Sequence, residues 1–198
     1  MLDYLGGAFP DNPDWATCFC LHYNVCEADG PWAERTGPQN RADKEAMIRA
    51  GQTHGVLAYR EGRVVGWCHA APRYTLRRLS EWAEESETFN PGNTDPVGAI
   101  VCYVIAPDSR RQGVATALLG EACALLTDLG MEWAEAYPRT AEPKPGGQLS
   151  TDARSYHGSL SMYLRAGFEP LYTLEYMTVV RRQLGCSAPA HDTAPASS

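Results

Sequence analysis

The sequence predicts an α/β fold of the α+β kind, with helices flanking one mixed, mostly antiparallel sheet. Three observations carry that expectation. Gly55–Arg60 and Arg63–Ala70 are strand-like runs separated by Glu61-Gly62, a two-residue hairpin turn. Gly98–Ile105 is apolar and rich in β-branched residues, and Ala106-Pro107-Asp108 closes it as a turn. Beyond that turn the apolar period changes, with Val114, Leu118, Ala122, Leu125 and Leu129 recurring at helical spacing up to Gly130, a suitable C-terminal stop.

The remaining elements follow in chain order. Asp14 to Asn24 is expected as a first strand and Asp43 to Ala50 as a short amphipathic helix. Leu76, Leu79 and Trp82 form an apolar stripe that predicts a helix from Tyr74 to Glu85, and Phe89 to Pro96 reads as loop. Glu132 to Tyr137 returns as a strand. Pro138 to Tyr156 is a long loop rich in Pro and Gly, the kind that serves as a lid or binding segment. A helix around Ser161 to Arg165 and one or two closing strands from Leu171 to Arg181 complete a single domain over residues 1–184. Residues 185–198, rich in Ala, Pro and Ser, are expected as a disordered tail.

Composition narrows the function classes. The 198 residues carry a formal net charge of −7, which disfavours nucleic acid and anionic membrane surfaces as partners. No apolar run is long enough to span a bilayer and the first residues lack a signal-peptide pattern, so a cytoplasmic setting is expected. The 7 cysteines are odd in number and scattered, as reduced, mostly buried thiols would be. On an extended strand Cys18, Cys20 and His22 would share a face through period-two geometry alone. The Cys-x-Cys spacing is not that of paired zinc ligands, so no metal is expected.

The most informative stretch is Arg110-Arg111-Gln112-Gly113-Val114-Ala115. A strand, a small-residue turn and a helix in that order present helix N-terminal amides and the positive end of the helix dipole, with two arginines beside them. Gly113 permits close backbone approach, and the construction suits a phosphate or pyrophosphate. Ile105 through Ala115, with its Arg/Gln-x-x-Gly-x-Gly/Ala form, resembles the acyl-coenzyme A signature of the GNAT superfamily of N-acyltransferases. Ser161-Met162-Tyr163-Leu164-Arg165-Ala166-Gly167-Phe168 is similar to that family's late helix, which ends in Tyr-x-x-x-Gly-Phe. Trp15–Tyr23, Asn40-Arg41, Val64–Cys68, Ala71-Pro72-Arg73 and Ala136-Tyr137-Pro138 are similar to a bacterial subgroup with an N-terminal Cys-x-Cys and a Gly-Trp-Cys strand.

The resemblance implies a GNAT fold, with a sheet splayed at an acyl-CoA cleft and acetyl-CoA as co-substrate. It implies that the backbone of Tyr103, Val104 and Ile105 holds the pantetheine arm. The region of Arg110, Arg111, Gln112, Gly113, Val114, Ala115 and Thr116 would then hold the pyrophosphate. The implied reaction moves an acetyl group to a primary amine, in a ternary complex without a covalent enzyme intermediate. Alkyl amines near lysine's pKa of about 10.4 are protonated at neutral pH, so a general base is needed first.

Glu135, on the strand beside the cleft, is the expected base, the alternative being a solvated strand carboxylate. Tyr163 is the expected acid for the departing thiolate, the alternative being ring packing on the sheet. Tyr137 is expected to line the acceptor site, and His157 is a possible proton relay. A small-molecule amine is the expected acceptor, with a peptide or protein amine as the second choice, and a homodimer is compatible with the resemblance. Two other classes stay open: an inactive acyl-CoA-binding module, and a Cys-dependent hydrolase or acyl carrier using Cys68 or Cys102.

Overall fold

The computed structural model describes residues 1–7, 16–85, 96–139, 155–174 and 177–185. The expected loop at 89–95, most of the expected lid and the tail beyond 185 lie outside these residues. The described residues contain helix α1 (Leu2–Gly7), helix α2 (Gly37–Arg49), the hairpin of β1 (Val56–Arg60) and β2 (Arg63–Pro72), and helix α3 (Arg77–Glu85). Strand β3 (Val97–Ile105), helix α4 (Val114–Asp128), strand β4 (Trp133–Ala136), helix α5 (Leu160–Arg165) and the hairpin of β5 (Glu169–Thr173) and β6 (Thr178–Gln183) follow. The six strands form one sheet in the order β1-β2-β3-β4-β6-β5, in which only β3 and β4 run parallel. This is the expected mixed, mostly antiparallel sheet.

Local chemistry explains the elements. Glu61 and Gly62 both have positive φ, at 50° and 76°, the conformation a two-residue hairpin with native twist requires. Helix α4 lays Leu118, Leu119, Ala122 and Leu126 against the sheet, each leucine contributing roughly 1.5–3 kcal/mol of apolar burial. A Cβ on Gly98 would stand 2.4 Å from Leu126, so the small residue there sets how closely α4 approaches β3. Gly130, at φ 79°, ends that helix in the left-handed conformation. A second core on the other face joins Tyr23, Leu76, Leu79, Val101, Tyr137 and Val179.

Two expectations need correction. The described part of the expected first strand, residues 16–24, is a series of turns. Phe19 and Cys20 hold φ of 50° and 51°, which breaks an extended chain, and Leu21 N–H donates to the Cys18 carbonyl. Cys18, Cys20 and His22 therefore do not share a strand face. The turns are pinned from α2: the buried Lys44 Nζ donates to the Cys20 carbonyl, Asn24 Oδ1 and Thr53 Oγ1, at 3.2, 2.9 and 2.7 Å. Burial lowers the Lys44 pKa to about 8. Helix α2 also starts six residues earlier than Asp43. Thr36 accepts from Gln39 N–H while Gln39 Oε1 accepts from Thr36 N–H, a reciprocal cap that nucleates the helix at Gly37-Pro38.

Candidate active site

The sheet opens where the signature lies. Pairing of β3 with β4 covers Val97–Ile100 against Trp133–Ala136, after which β3 continues to Ile105 without β4 beside it. On that opened edge Tyr103 N–H donates to the carbonyl of Tyr156 at 2.6 Å. Past Ile105 the chain makes one tight turn, then takes left-handed φ at Arg111 (58°) and at Gly113 (82°) before entering α4. The first amides of a helix have no acceptor within it, and alternating left-handed residues turn successive amides toward one point. A Cβ at Gly113 would meet nothing within 4 Å, so the backbone there faces open space. These features fit the diphosphate of an acyl-CoA.

A cleft of about 400 Å³ runs between this turn and the start of α5. Of the residues expected there, Tyr103, Ile105, Arg110, Arg111, Gly113, Val114, Ala115 and Thr116 line it. Val104 and Gln112 do not. Strand alternation turns Val104 to the opposite face, where it packs with Leu5 and Phe19 while its carbonyl accepts from Tyr4 Oη at 2.8 Å. The Gln112 side chain turns outward, accepting from Arg60 and donating to the Asp108 carbonyl. Arg110 Nε reaches back to the Ile105 carbonyl at 3.1 Å and braces the end of the strand.

Glu135 stands apart from this cleft. Its carboxylate is buried, accepting from Arg73 Nη1 at 2.8 Å, from Arg181 Nε and Nη2 at 3.0 and 2.8 Å, and from Tyr137 Oη at 3.2 Å. Four donor bonds occupy its oxygens and it does not line the cleft, so it presents no open lone pair to a substrate amine there. Tyr137 is fully buried beside it and does not line the cleft. Tyr163 is also fully buried, its hydroxyl donating to the His157 carbonyl at 2.8 Å and its ring meeting Phe168 edge-on. Gly158, at φ 78°, makes room for this arrangement, since a Cβ there would lie 2.7 Å from Met162 and 3.2 Å from the Tyr163 hydroxyl.

On the other face of β3 lies a second cavity of about 250 Å³, which sequence reasoning missed. Cys102 and Val104 floor it, and Phe19, His22, Tyr23, Trp32 and Tyr156 supply rings. The ring of His22 meets Tyr23 and Trp32 edge-on, at centroid distances of 5.3 and 4.8 Å. Tyr156 lines both cavities. The aromatic residues were visible in sequence, but nothing in their spacing announced convergence around turns.

The histidines here are held neutral. Burial pushes the His22 pKa down to about 4, with Arg78 adding to the effect. Burial, then Arg139, pushes that of His157 down to about 3, while its Nε2 stands 3.3 Å from Tyr23 Oη. In an unfolded chain both titrate near 6.5, so below that pH the unfolded state takes up protons that the folded state refuses. Their stabilising effect is complete above about pH 6.5 and is lost as pH falls toward the folded values, at up to about 1.4 kcal/mol per pH unit for each histidine. Thermal midpoints are expected to drop between pH 7 and 5, and His157→Asn is expected to flatten the profile. An unchanged slope in that variant would assign the pH response to other groups.

Neither Cys68 nor Cys102 is suited as a nucleophile. Burial raises the Cys68 thiol pKa, and contact with Cys20 together with burial raises that of Cys102. Cys68 and His69 are strand neighbours that point to opposite faces. Among the described residues no group of three or more His, Cys, Asp or Glu side chains is arranged to hold a metal ion.

Residues 19–141 match the acetyltransferase (GNAT) family model, and the chain belongs to that family. The structure resembles ribosomal-protein-alanine N-acetyltransferase from Brucella melitensis at 17% identity and a TM-score of 0.50, over 92% of this chain and 94% of that one. It also resembles PaiA N-acetyltransferase from Thermoplasma acidophilum in complex with coenzyme A, at 10% identity and a TM-score of 0.50, over 92% and 89% of the two chains. At these identities the likeness speaks for the fold. No curated protein gives a significant match. Among the described residues no helix is long and apolar enough to cross a membrane.

Proposed function

We propose that the protein transfers an acetyl group from acetyl-CoA to a primary amine of a small molecule by direct attack within a ternary complex. One observation carries this reading: the left-handed turn at Arg111–Gly113 and the opened edge of β3 line one cleft. The co-substrate supplies a thioester carbonyl activated for attack, with a thiolate as leaving group. The amides around Gly113 hold its diphosphate, and Tyr103 N–H orients a carbonyl on the β3 edge. The fixed charge of Arg111 and the α4 dipole favour the anion at that end. Holding both reactants in one geometry supplies up to roughly 7–11 kcal/mol of the barrier reduction in ideal cases.

Tyr163 is the proposed acid for the departing sulfur. Its hydroxyl is bound to the His157 carbonyl at the foot of the segment that lines the cleft. Tyr163→Phe is expected to reduce turnover by roughly ten- to a hundredfold with a much smaller effect on acetyl-CoA affinity. Equal turnover would leave the residue a packing role. Glu135 is reassigned from base to positioning residue, since it anchors β4 to β6 and to Arg73 at the end of β2. The second cavity, at about 250 Å³, favours a small acceptor over a peptide chain.

The described cysteines are free thiols, and the sulfurs of Cys20 and Cys102 share a hydrogen bond at 3.5 Å. That fits a reducing compartment such as the cytoplasm. Thiol release with a panel of amines, run beside acetyl-CoA calorimetry, tests the proposal. Binding without release for any amine would favour an inactive acyl-CoA-binding module.

A further inference from the structure

We propose that the second cavity is the acceptor subsite and that it takes an arylamine, a flat aromatic body whose nitrogen is uncharged at neutral pH. The inference rests on the acetyltransferase reading for the reaction, but not for the binding. The two cavities flank β3 from opposite faces: Tyr103 and Ile105 face the cleft, while Cys102 and Val104 face the ring-lined cavity, and Tyr156 belongs to both. Tyr156, whose carbonyl accepts from the Tyr103 amide, is thus the residue the two cavities share.

Shape points to an aromatic body. Phe19, His22, Tyr23, Trp32 and Tyr156 line a space of about 250 Å³, the size of one small ring with its substituents, and His22 meets Tyr23 and Trp32 edge-on. Charge selects the nitrogen. Arg78 Nε donates to the His22 carbonyl at 3.0 Å, Lys44 Nζ donates to the Cys20 carbonyl, and the Arg139 guanidinium lies 5.7 Å from the centre of the Tyr156 ring. Three cations thus back the cavity wall, and among the described residues no carboxylate lines it. Arg78 is answered by Glu27 and Glu81. The depressed pKa values of His22 and His157 report the same inhospitality to positive charge.

Such an acceptor also resolves the question of the base. Delocalisation into the ring keeps an arylamine nitrogen unprotonated, so no carboxylate has to remove a proton before attack, and Glu135 is not needed for it. The nitrogen lone pair forms the new C–N bond to the acetyl carbon. The C–S bond breaks with its electron pair kept by sulfur, and the proton lost from nitrogen ends on that sulfur, giving an N-aryl acetamide and free coenzyme A thiol.

The test uses two isomers of equal size, para-toluidine and benzylamine, the second carrying a charged ammonium at neutral pH. Their binding to the purified full-length protein without cofactor is measured by ligand-observed NMR titration. Para-toluidine is expected to bind at least about tenfold more tightly than benzylamine, and Trp32→Ala to weaken it roughly tenfold, as loss of a stacking wall should. His22→Ala is a second variant with the same expected direction. Benzylamine binding equally or better overturns the proposal, as does toluidine affinity indifferent to both substitutions. Acetyl-CoA calorimetry on the same samples reads the donor site independently. If acetyl-CoA fails to bind, the transferase reading falls while the isomer comparison still decides this one. Mass-spectrometric detection of the acetamide from toluidine in preference to the benzylamide completes the support.

Discussion

Gly113→Asp is expected to weaken acetyl-CoA binding by a hundredfold or more. Two effects add. Gly113 holds φ of 82°, and a residue with a Cβ pays about 1–2 kcal/mol to stay in that left-handed conformation. The added carboxylate would also sit at the N-terminus of α4, facing the same amides as an incoming diphosphate, where like-charge repulsion is screened little. Gly113→Asn separates the two, because Asn tolerates the left-handed conformation and carries no charge. Calorimetry should rank the affinities as wild type, then Asn, then Asp by a wide margin. Unchanged affinity in the Asp variant would place the cofactor elsewhere.

Glu135→Gln is expected to cost about 3–5 kcal/mol of stability, the usual penalty for removing one member of a buried ion cluster. The substitution keeps an oxygen for the Tyr137 hydroxyl but takes away the negative charge that Arg73 and Arg181 share. Thermal or denaturant unfolding measures it directly. A catalytic base would behave in the opposite way, with stability near that of wild type and turnover lost together with the alkaline-rising limb of its pH profile. A stable but inactive Glu135→Gln protein would restore the base assignment.

The hairpin, the β3–α4 unit and the cofactor turn were legible because each is set by neighbours in sequence: a two-residue turn, a change of apolar period, a glycine after two arginines. Long-range effects were not. Glu135 looked like a lone strand carboxylate since its partners lie 62 and 46 positions away, at Arg73 and Arg181. Residues 16–24 alternate well enough to pass for a strand, and nothing in Phe19 or Cys20 signals positive φ, which tertiary contacts with Lys44 and its helix sustain. The motif assigns the backbone of Tyr103, Val104 and Ile105 to the cofactor, and strand geometry divides only their side chains between two faces. The Thr36–Gln39 cap, by contrast, is a plain sequence signal that the apolar pattern of the helix overshadowed.

The bond from Tyr103 to Tyr156 turns cofactor entry into an exchange of partners. A thioester oxygen can reach that amide only after the tyrosine carbonyl has let go, so association should show a concentration-independent kinetic step at saturation. Because the same tyrosine also walls the aromatic chamber, its departure would reshape the place where the second reactant lands. Coupling between the two affinities, each ligand titrated at fixed levels of the other, is the signature to look for.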